Sequence, residues 1–235
     1  MYIKKAMTFH FITLFPESFD SYINSSILGR AIADKKIKVK FYNPRDFTKD
    51  KHKRVDQKPY GGGPGMVIEA EAVIKAVEKA VRNSKPKAPN PKQIKKSKIL
   101  NSKPLIIWLS PSGKQFDNEA AEKYANKYKN IIVICGRYEG IDERVRKVFS
   151  TESVSVGPFV LTGGELPTMI IMDTVARRIP GVLGKIESVE ENRIASSEVY
   201  TRPEILEYKG KKYKVPKVLL SGNHKKIEEW RRGEK

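Results

Sequence analysis

Few residues in this chain have the spacing that chemistry needs, and most familiar arrangements are missing. His10, His52 and His224 are widely scattered and Cys135 is the only cysteine, so no zinc spacing exists. No G-x-S-x-G elbow appears. A Cys–His nucleophile pair stays open, although Cys135 ends an apolar run and reads first as packing. The stretch KPYGGGPGM, residues 58–66, holds four glycines and two prolines and invites a phosphate-loop reading. It lacks the Gly-Lys-Ser/Thr ending that serves phosphate and Mg2+, since Gly65 is followed by Met66 and Val67. Dinucleotide spacing fails too, because Gly61 and Gly63 would need a glycine at 66. ATPase and nicotinamide chemistry therefore have no motif support.

Three other stretches are better placed. LSPSG (109–113) follows the apolar run LIIWL, CGRYEG (135–140) follows IIVIC, and VGPFVLTGGELP (156–167) follows SVSV. In open α/β sheets, ligands bind outside the carboxyl ends of strands. Each stretch carries Gly or Pro where the backbone can approach a ligand closely. Alone, each could be a tight turn; three at strand ends are less easily dismissed.

The elements that must position these loops follow from periodicity. Residues 8–14, 37–42, 105–109, 131–135 and 153–156 read as strands, and 37–42 alternates with one wet face. The continuous apolar runs 105–109 and 131–135 read as strands buried on both faces of a parallel sheet. Residues 17–34, 69–81, 117–128 and 164–179 read as helices, the last with Pro167 tolerated in its first turn. This alternation makes the fold class α/β. We expect an α/β domain over 1–183, interrupted at 82–103 by a basic, proline-bearing loop. A polar linker at 184–199 then leads to a small, basic, helical domain at 200–235.

Composition narrows the partners. The 235 residues include 46 Lys+Arg against 27 Asp+Glu, a net charge of +19. That balance favours nucleic acid or another polyanion. Residues 82–103 alone hold eight Lys/Arg and no acid. They are either a solubilising insertion or an RNA-touching arm whose deletion flattens the salt dependence of binding. The single cysteine suits a reducing cytosol. The N-terminal apolar run is too short for a signal core, and no stretch approaches the ~18 apolar residues of a membrane span.

ITLFPESF, PRDFTKDKHKRVDQKPYGGGPGM, LSPSG, CGRYEGIDERV, VGPFVLTGGELP, RRIPGVLG, YTRPE and VPKVLLSGNH occur in this order. Over nearly its full length the chain thereby resembles the bacterial tRNA (guanine-37-N1)-methyltransferase (TrmD) family of the knotted SPOUT class. The resemblance implies a SPOUT-type parallel sheet with a deep trefoil knot, a cytoplasmic homodimer, tRNA as substrate and S-adenosylmethionine as methyl donor. Its cofactor pocket would comprise Leu109, Ser110 and Pro111, then Gly136, Tyr138 and Glu139. The third loop would add Ser155, Val156, Gly157, Pro158, Phe159, Val160, Leu161, Gly163, Gly164 and Pro167.

The resemblance also implies a catalytic cation at Arg177. By itself, Arg177 could instead form a helical ion pair with Asp173, four residues earlier. The family's general base is an Asp whose ungapped position here is Asn192, and an amide cannot accept the proton. Glu191 is the first substitute and Glu190 the second. If neither serves, the chain is an RNA-binding relative that keeps the pocket without the reaction. A third reading is a basic α/β RNA-binding module with no cofactor. The resemblance suggests a Mg2+ requirement, although no acidic cluster has ligand spacing. The family's C-terminal domain usually runs further past the GNH helix than Lys235.

Overall fold

The computed structural model describes residues 6–85, 103–183 and 198–232. In chain order the first part comprises β1 (Met7–Ile12), α1 (Asp20–Ile23), α2 (Ser26–Ala33), β2 (Ile37–Tyr42), β3 (Asp56–Gln57), β4 (Val67–Ile68) and α3 (Ala70–Ser84). It continues with β5 (Leu105–Gln115), α4 (Asn118–Lys127), β6 (Asn130–Ile134), α5 (Arg144–Val148), β7 (Glu152–Ser155) and α6 (Glu165–Ala176). Five strands pair in the order β2-β1-β6-β5-β7, every neighbouring pair parallel.

The two faces of this sheet follow from the period of two. Phe9, Phe11, Ile107, Ile131 and Val133 pack on one side with α2, α4 and α6. Ile12, Ile106, Trp108, Ile132 and Ile134 pack on the other with α3 and with Val145 of α5. Covering both faces explains why 105–109 and 131–135 are continuously apolar. Edge strand β2 keeps Lys38 and Lys40 in water.

Several expectations are corrected here. Residues 17–34 are not one helix: α1 stops at Ile23 and α2 starts at Ser26, whose φ is 48°. Asn24 Nδ2 instead turns back to Asp20 O at 2.8 Å, as side chains of this type do at helix ends. Gly29 makes the bend possible, since a Cβ there would sit 2.6 Å from Asn24 O. Helix α3 runs past 81 to Ser84, so the basic loop starts later than expected, and residues 86–102 lie outside the described residues. Side-chain bonds hold that last turn: Asn83 Nδ2 donates to Tyr42 Oη at 3.1 Å, and Asn130 Nδ2 donates to Ser84 O at 3.2 Å. Helix α6 ends at Ala176, three residues short of expectation, with single-turn bonds from Arg178 and Ile179 continuing beyond it. KPYGGGPGM proves to be the loop of a short antiparallel hairpin between β3 and β4.

The same polar cluster encloses His10, which is fully buried. Its Nε2 faces Asn130 Oδ1 at 3.1 Å, an acceptor, so Nε2 carries the proton and Nδ1 accepts from Tyr42 Oη at 2.9 Å. Burial pushes its pKa below the ordinary 6.5, only partly opposed by the Asn130 bond. The unfolded chain therefore binds the proton first as pH falls. Stability from neutral His10 should be complete above pH 6.5 and should decline below it. Thermal melts across that range check this, with His10→Gln expected to flatten the slope.

A second compact unit spans Leu183–Lys235. It is not purely helical. Strands β8 (Ile205–Tyr208) and β9 (Lys211–Lys214) form an antiparallel hairpin before the short helices α7 (Lys217–Leu220) and α8 (His224–Arg231). Its two-residue turn places Lys209 at φ 50° and Gly210 at φ 76°, the left-handed pair that a tight hairpin turn requires. Residues 184–197, which hold nearly all of the expected linker, lie outside the described residues. Among the described residues, no helix is long and apolar enough to cross a membrane.

Candidate active site

Strands β5, β6 and β7 end side by side, and each end is shaped differently. β5 does not simply stop at Leu109. It bulges over 110–113 and rejoins β7, so that Leu109 and Lys114 both face Val154. LSPSG is therefore an excursion within a strand rather than a free loop. Ser110 and Ser112 hydroxyls meet at 2.9 Å across it. Gly113 closes it where a Cβ would lie 2.6 Å from Val154 N, so only glycine fits.

After β6 the chain turns sharply. Gly140 N donates to Arg137 O at 3.0 Å, and Tyr138 takes a left-handed φ of 58°. After β7, Ser155 Oγ makes two bonds to Gly157, accepting from its N–H at 3.2 Å and donating to its carbonyl O at 2.9 Å. The chain then runs from the sheet edge back across the strand ends. Gly164 N donates to Gly136 O at 2.9 Å, and Gly163 bridges Arg137.

These three segments enclose one cleft. Every residue expected to bind a cofactor lines it except Pro158, which is exposed. Its walls are apolar at Leu109, Val156, Leu161 and Pro167, with Ser110, Tyr138, Glu139 and Thr162 as polar points. Phe159 and Val160 stand on its rim, half or more exposed. Such a surface suits a flat, partly polar small molecule.

Sequence reasoning missed four lining residues: Arg137, Gly140, Val154 and Thr162. Arg137 is the most consequential. Its Nε lies 2.8 Å from Glu165 Oε2, its Nη1 donates to Thr162 O at 3.4 Å, and its guanidinium stacks 4.7 Å from the Phe15 ring. Glu165 is buried at the start of α6, where the helix dipole favours an acid, and accepts from Thr13 Oγ1 at 2.7 Å. One arginine thus ties together the ends of β1 and β6 and the start of α6. The signal was a lone cation just after an apolar strand, inside CGRYEG. Arg137→Ala leaves the Glu165 carboxylate buried without its ion partner, so we expect a loss of about 3 kcal/mol in urea melts. Arg137→Met combined with Glu165→Gln should cost less than Arg137→Ala alone.

Cys135 sits beneath the cleft floor, 3.1 Å from Thr168 Oγ1. Burial pushes its thiol pKa well up, with the Glu165 charge adding to the shift. A nucleophilic role thus has no support, because the thiolate is disfavoured. Arg177 lies elsewhere. It caps the C-terminal end of α6, its backbone N–H donating to Asp173 O at 3.0 Å. Ten helical residues after Pro167, it stands about 15 Å along the axis from the cleft. The Asp173 carboxylate accepts from Tyr22 Oη, which pushes the Tyr22 pKa up to about 12. Glu190, Glu191 and Asn192 lie outside the described residues.

Comparison with known proteins covers almost the whole chain. Residues 7–235 match the family model described as tRNA (Guanine-1)-methyltransferase TrmD. A tRNA (guanine-N(1)-)-methyltransferase of Clostridioides difficile strain 630 is 44% identical over 232 residues, 97% of this chain and 92% of the relative. Proteins of the same name from Photobacterium profundum and Dehalococcoides mccartyi strain CBDB1 are 43% and 44% identical. They match 94% and 95% of this chain and 82% and 83% of their own.

Proposed function

The chain belongs to the tRNA (guanine-1)-methyltransferase TrmD family, and on that premise we propose that it methylates N1 of guanine 37 in tRNA, with S-adenosylmethionine as donor. The observation that carries this reading is the cleft at the ends of β5, β6 and β7, which falls within the matched residues. The cofactor's adenine would lie between the apolar walls, with backbone groups at Gly136, Gly157, Gly163 and Gly164 within reach. Bound there, it supplies a methyl group already activated on a sulfonium.

Guanine N1 carries a proton at neutral pH and must lose it to become a nucleophile. A base takes that proton, and a cation holds the negative charge that develops toward O6. Arg177 is proposed as the cation, since a planar guanidinium suits an anionic base edge. Glu191 is proposed as the base, with Glu190 next in line, because Asn192 at the family's Asp position cannot accept a proton. Glu191→Gln should abolish most methyl transfer. Full activity in both Glu191→Gln and Glu190→Gln would remove these residues from the mechanism.

A homodimer would reconcile the cleft with Arg177. One copy leaves them about 15 Å apart along α6, and a second copy could present its Arg177 to the first copy's cleft. The exposed Leu166 and Ile170 on α6, beside Met169, support an apolar contact there. The return of the chain from edge strand β7 over β5 and β6 to Thr13 supports the reading of a trefoil knot. The basic stretch 82–103 is read as an added tRNA contact. Among the described residues no group of three or more His, Cys, Asp or Glu could hold a metal ion, so no step is drawn through Mg2+. Labelled methyl should enter tRNA with guanine at 37 and stay out of tRNA with adenine there. Equal labelling of both would overturn the reading.

A further inference from the structure

The glycine-rich hairpin loop, 58–66, supplies none of the groups proposed for the reaction. It nonetheless touches the cofactor cleft at one point. Glu139 N donates to Met66 O at 3.0 Å. Ile68 N donates to Gly140 O, and Asp142 N donates to Ile68 O, each at 3.0 Å. The hairpin is thereby stitched to the loop after β6. Above that seam the Glu139 side chain lies on Gly65: a Cβ on Gly65 would come within 2.6 Å of Glu139 Cγ. Glu139 also faces two spaces. It lines the cofactor cleft and a second, neighbouring cleft lined by Lys58, Tyr60, Glu69, Ile74 and Arg144.

We propose that Gly65 is a positioning residue for Glu139. Its bare Cα is the seat of the carboxylate, and the hairpin loop fixes a charged group at the junction of the two clefts. The consequence for catalysis rests on the reading of the first cleft as the methyl-donor site. Gly65 has a φ of 80°, which alone favours glycine. The loop supplies its own control for that strain. Gly62 has the same φ of 80°, yet a Cβ there would meet nothing within 4 Å. Alanine at 62 and at 65 therefore imposes comparable backbone strain, and only alanine at 65 displaces the carboxylate. Because the atoms in the way are the far end of a flexible side chain, Gly65→Ala should fold with Glu139 moved.

The test compares the wild type, Gly62→Ala and Gly65→Ala. In 13C-labelled protein, the side-chain carboxyl resonance of Glu139 should move in Gly65→Ala and stay in place in Gly62→Ala. Methyl transfer to tRNA should fall on the order of tenfold to 10²-fold in Gly65→Ala, the scale of a misplaced group. It should fall far less in Gly62→Ala. In a Glu139→Ala background, Gly65→Ala should bring no further loss. A Glu139 resonance that is unmoved in Gly65→Ala, or that moves equally in Gly62→Ala, overturns the proposal. So does a transfer loss from Gly65→Ala that persists in full without Glu139. A wild type inactive on tRNA would overturn the reading of the first cleft, while the resonance comparison would still decide the role of Gly65.

Discussion

Arg177→Ala is expected to lower the single-turnover rate of methyl transfer by roughly 10²–10³-fold, the cost of removing one preorganised partner of developing charge. Cofactor affinity should stay within about twofold, because Arg177 does not line the cleft of its own copy and its proposed contact is to guanine O6 rather than to the donor. The separation follows from α6. Pro167 in its first turn forms part of the cleft wall, whereas Arg177 caps its far end. Arg177→Lys keeps the charge but loses the planar fork, so it should fall between wild type and alanine. A rapid-quench rate together with calorimetry of S-adenosylmethionine binding distinguishes the outcomes. If Arg177 only steadies the helix end, the melting temperature will drop and the rate per folded molecule will not. If it contacts the donor rather than guanine, affinity and rate will fall together.

Gly164→Ala should be strongly damaging to the site. Its φ of −83° suits any residue, so backbone preference is no obstacle. The obstacle is space: a Cβ would lie 2.6 Å from Cys135 Cα and 2.9 Å from Gly136 N. Both are backbone atoms of the turn that leaves β6, and neither can rotate away. Relief must separate the third loop from the second, breaking the bond from Gly164 N to Gly136 O. Overpacking of this kind costs about 1–3 kcal/mol, and each kcal/mol lowers the melting temperature of a chain this size by about 2–4 °C. Cofactor binding should weaken at least ~10-fold, since about 1.4 kcal/mol of distortion already does that. Gly136→Ala is the contrast. Its Cβ would meet only the Ile141 side chain, at 3.8 Å, so the fold should tolerate it. Calorimetry and thermal melts of the two variants check the difference.

Much of the scaffold was legible because burial leaves a periodic trace. The apolar runs at 105–109 and 131–135 became central strands, and the alternating IKVKFY became an edge strand with its lysines in water. The cleft was legible at the level of loops, because glycine and proline cluster where backbones cross closely. What stayed hidden is non-local. Nothing periodic records that β6 lies between β1 and β5, or that Arg137 reaches Glu165 and Glu165 reaches Thr13. Such pairings join single residues far apart in sequence. The break at Asn24 and the hairpin at Lys209–Gly210 were hidden differently. Both depend on a left-handed residue at one point, Ser26 and Lys209, which a periodic pattern averages away. Spacing likewise could not reveal that Tyr22 approaches Asp173 from another helix. KPYGGGPGM had a clear composition and an obscure purpose, which became readable only when Gly65 was seen beneath Glu139.

The most direct test of the account is to identify the modified atom. The wild-type protein is incubated with S-adenosylmethionine labelled in its methyl group and a tRNA transcript bearing guanine at position 37. The product is then digested and its nucleosides are separated and mapped by mass. The account predicts label in N1-methylguanosine at position 37 and at no other position. Label on another atom or another nucleotide, or tRNA recovered unlabelled by a protein that binds both partners, would contradict it.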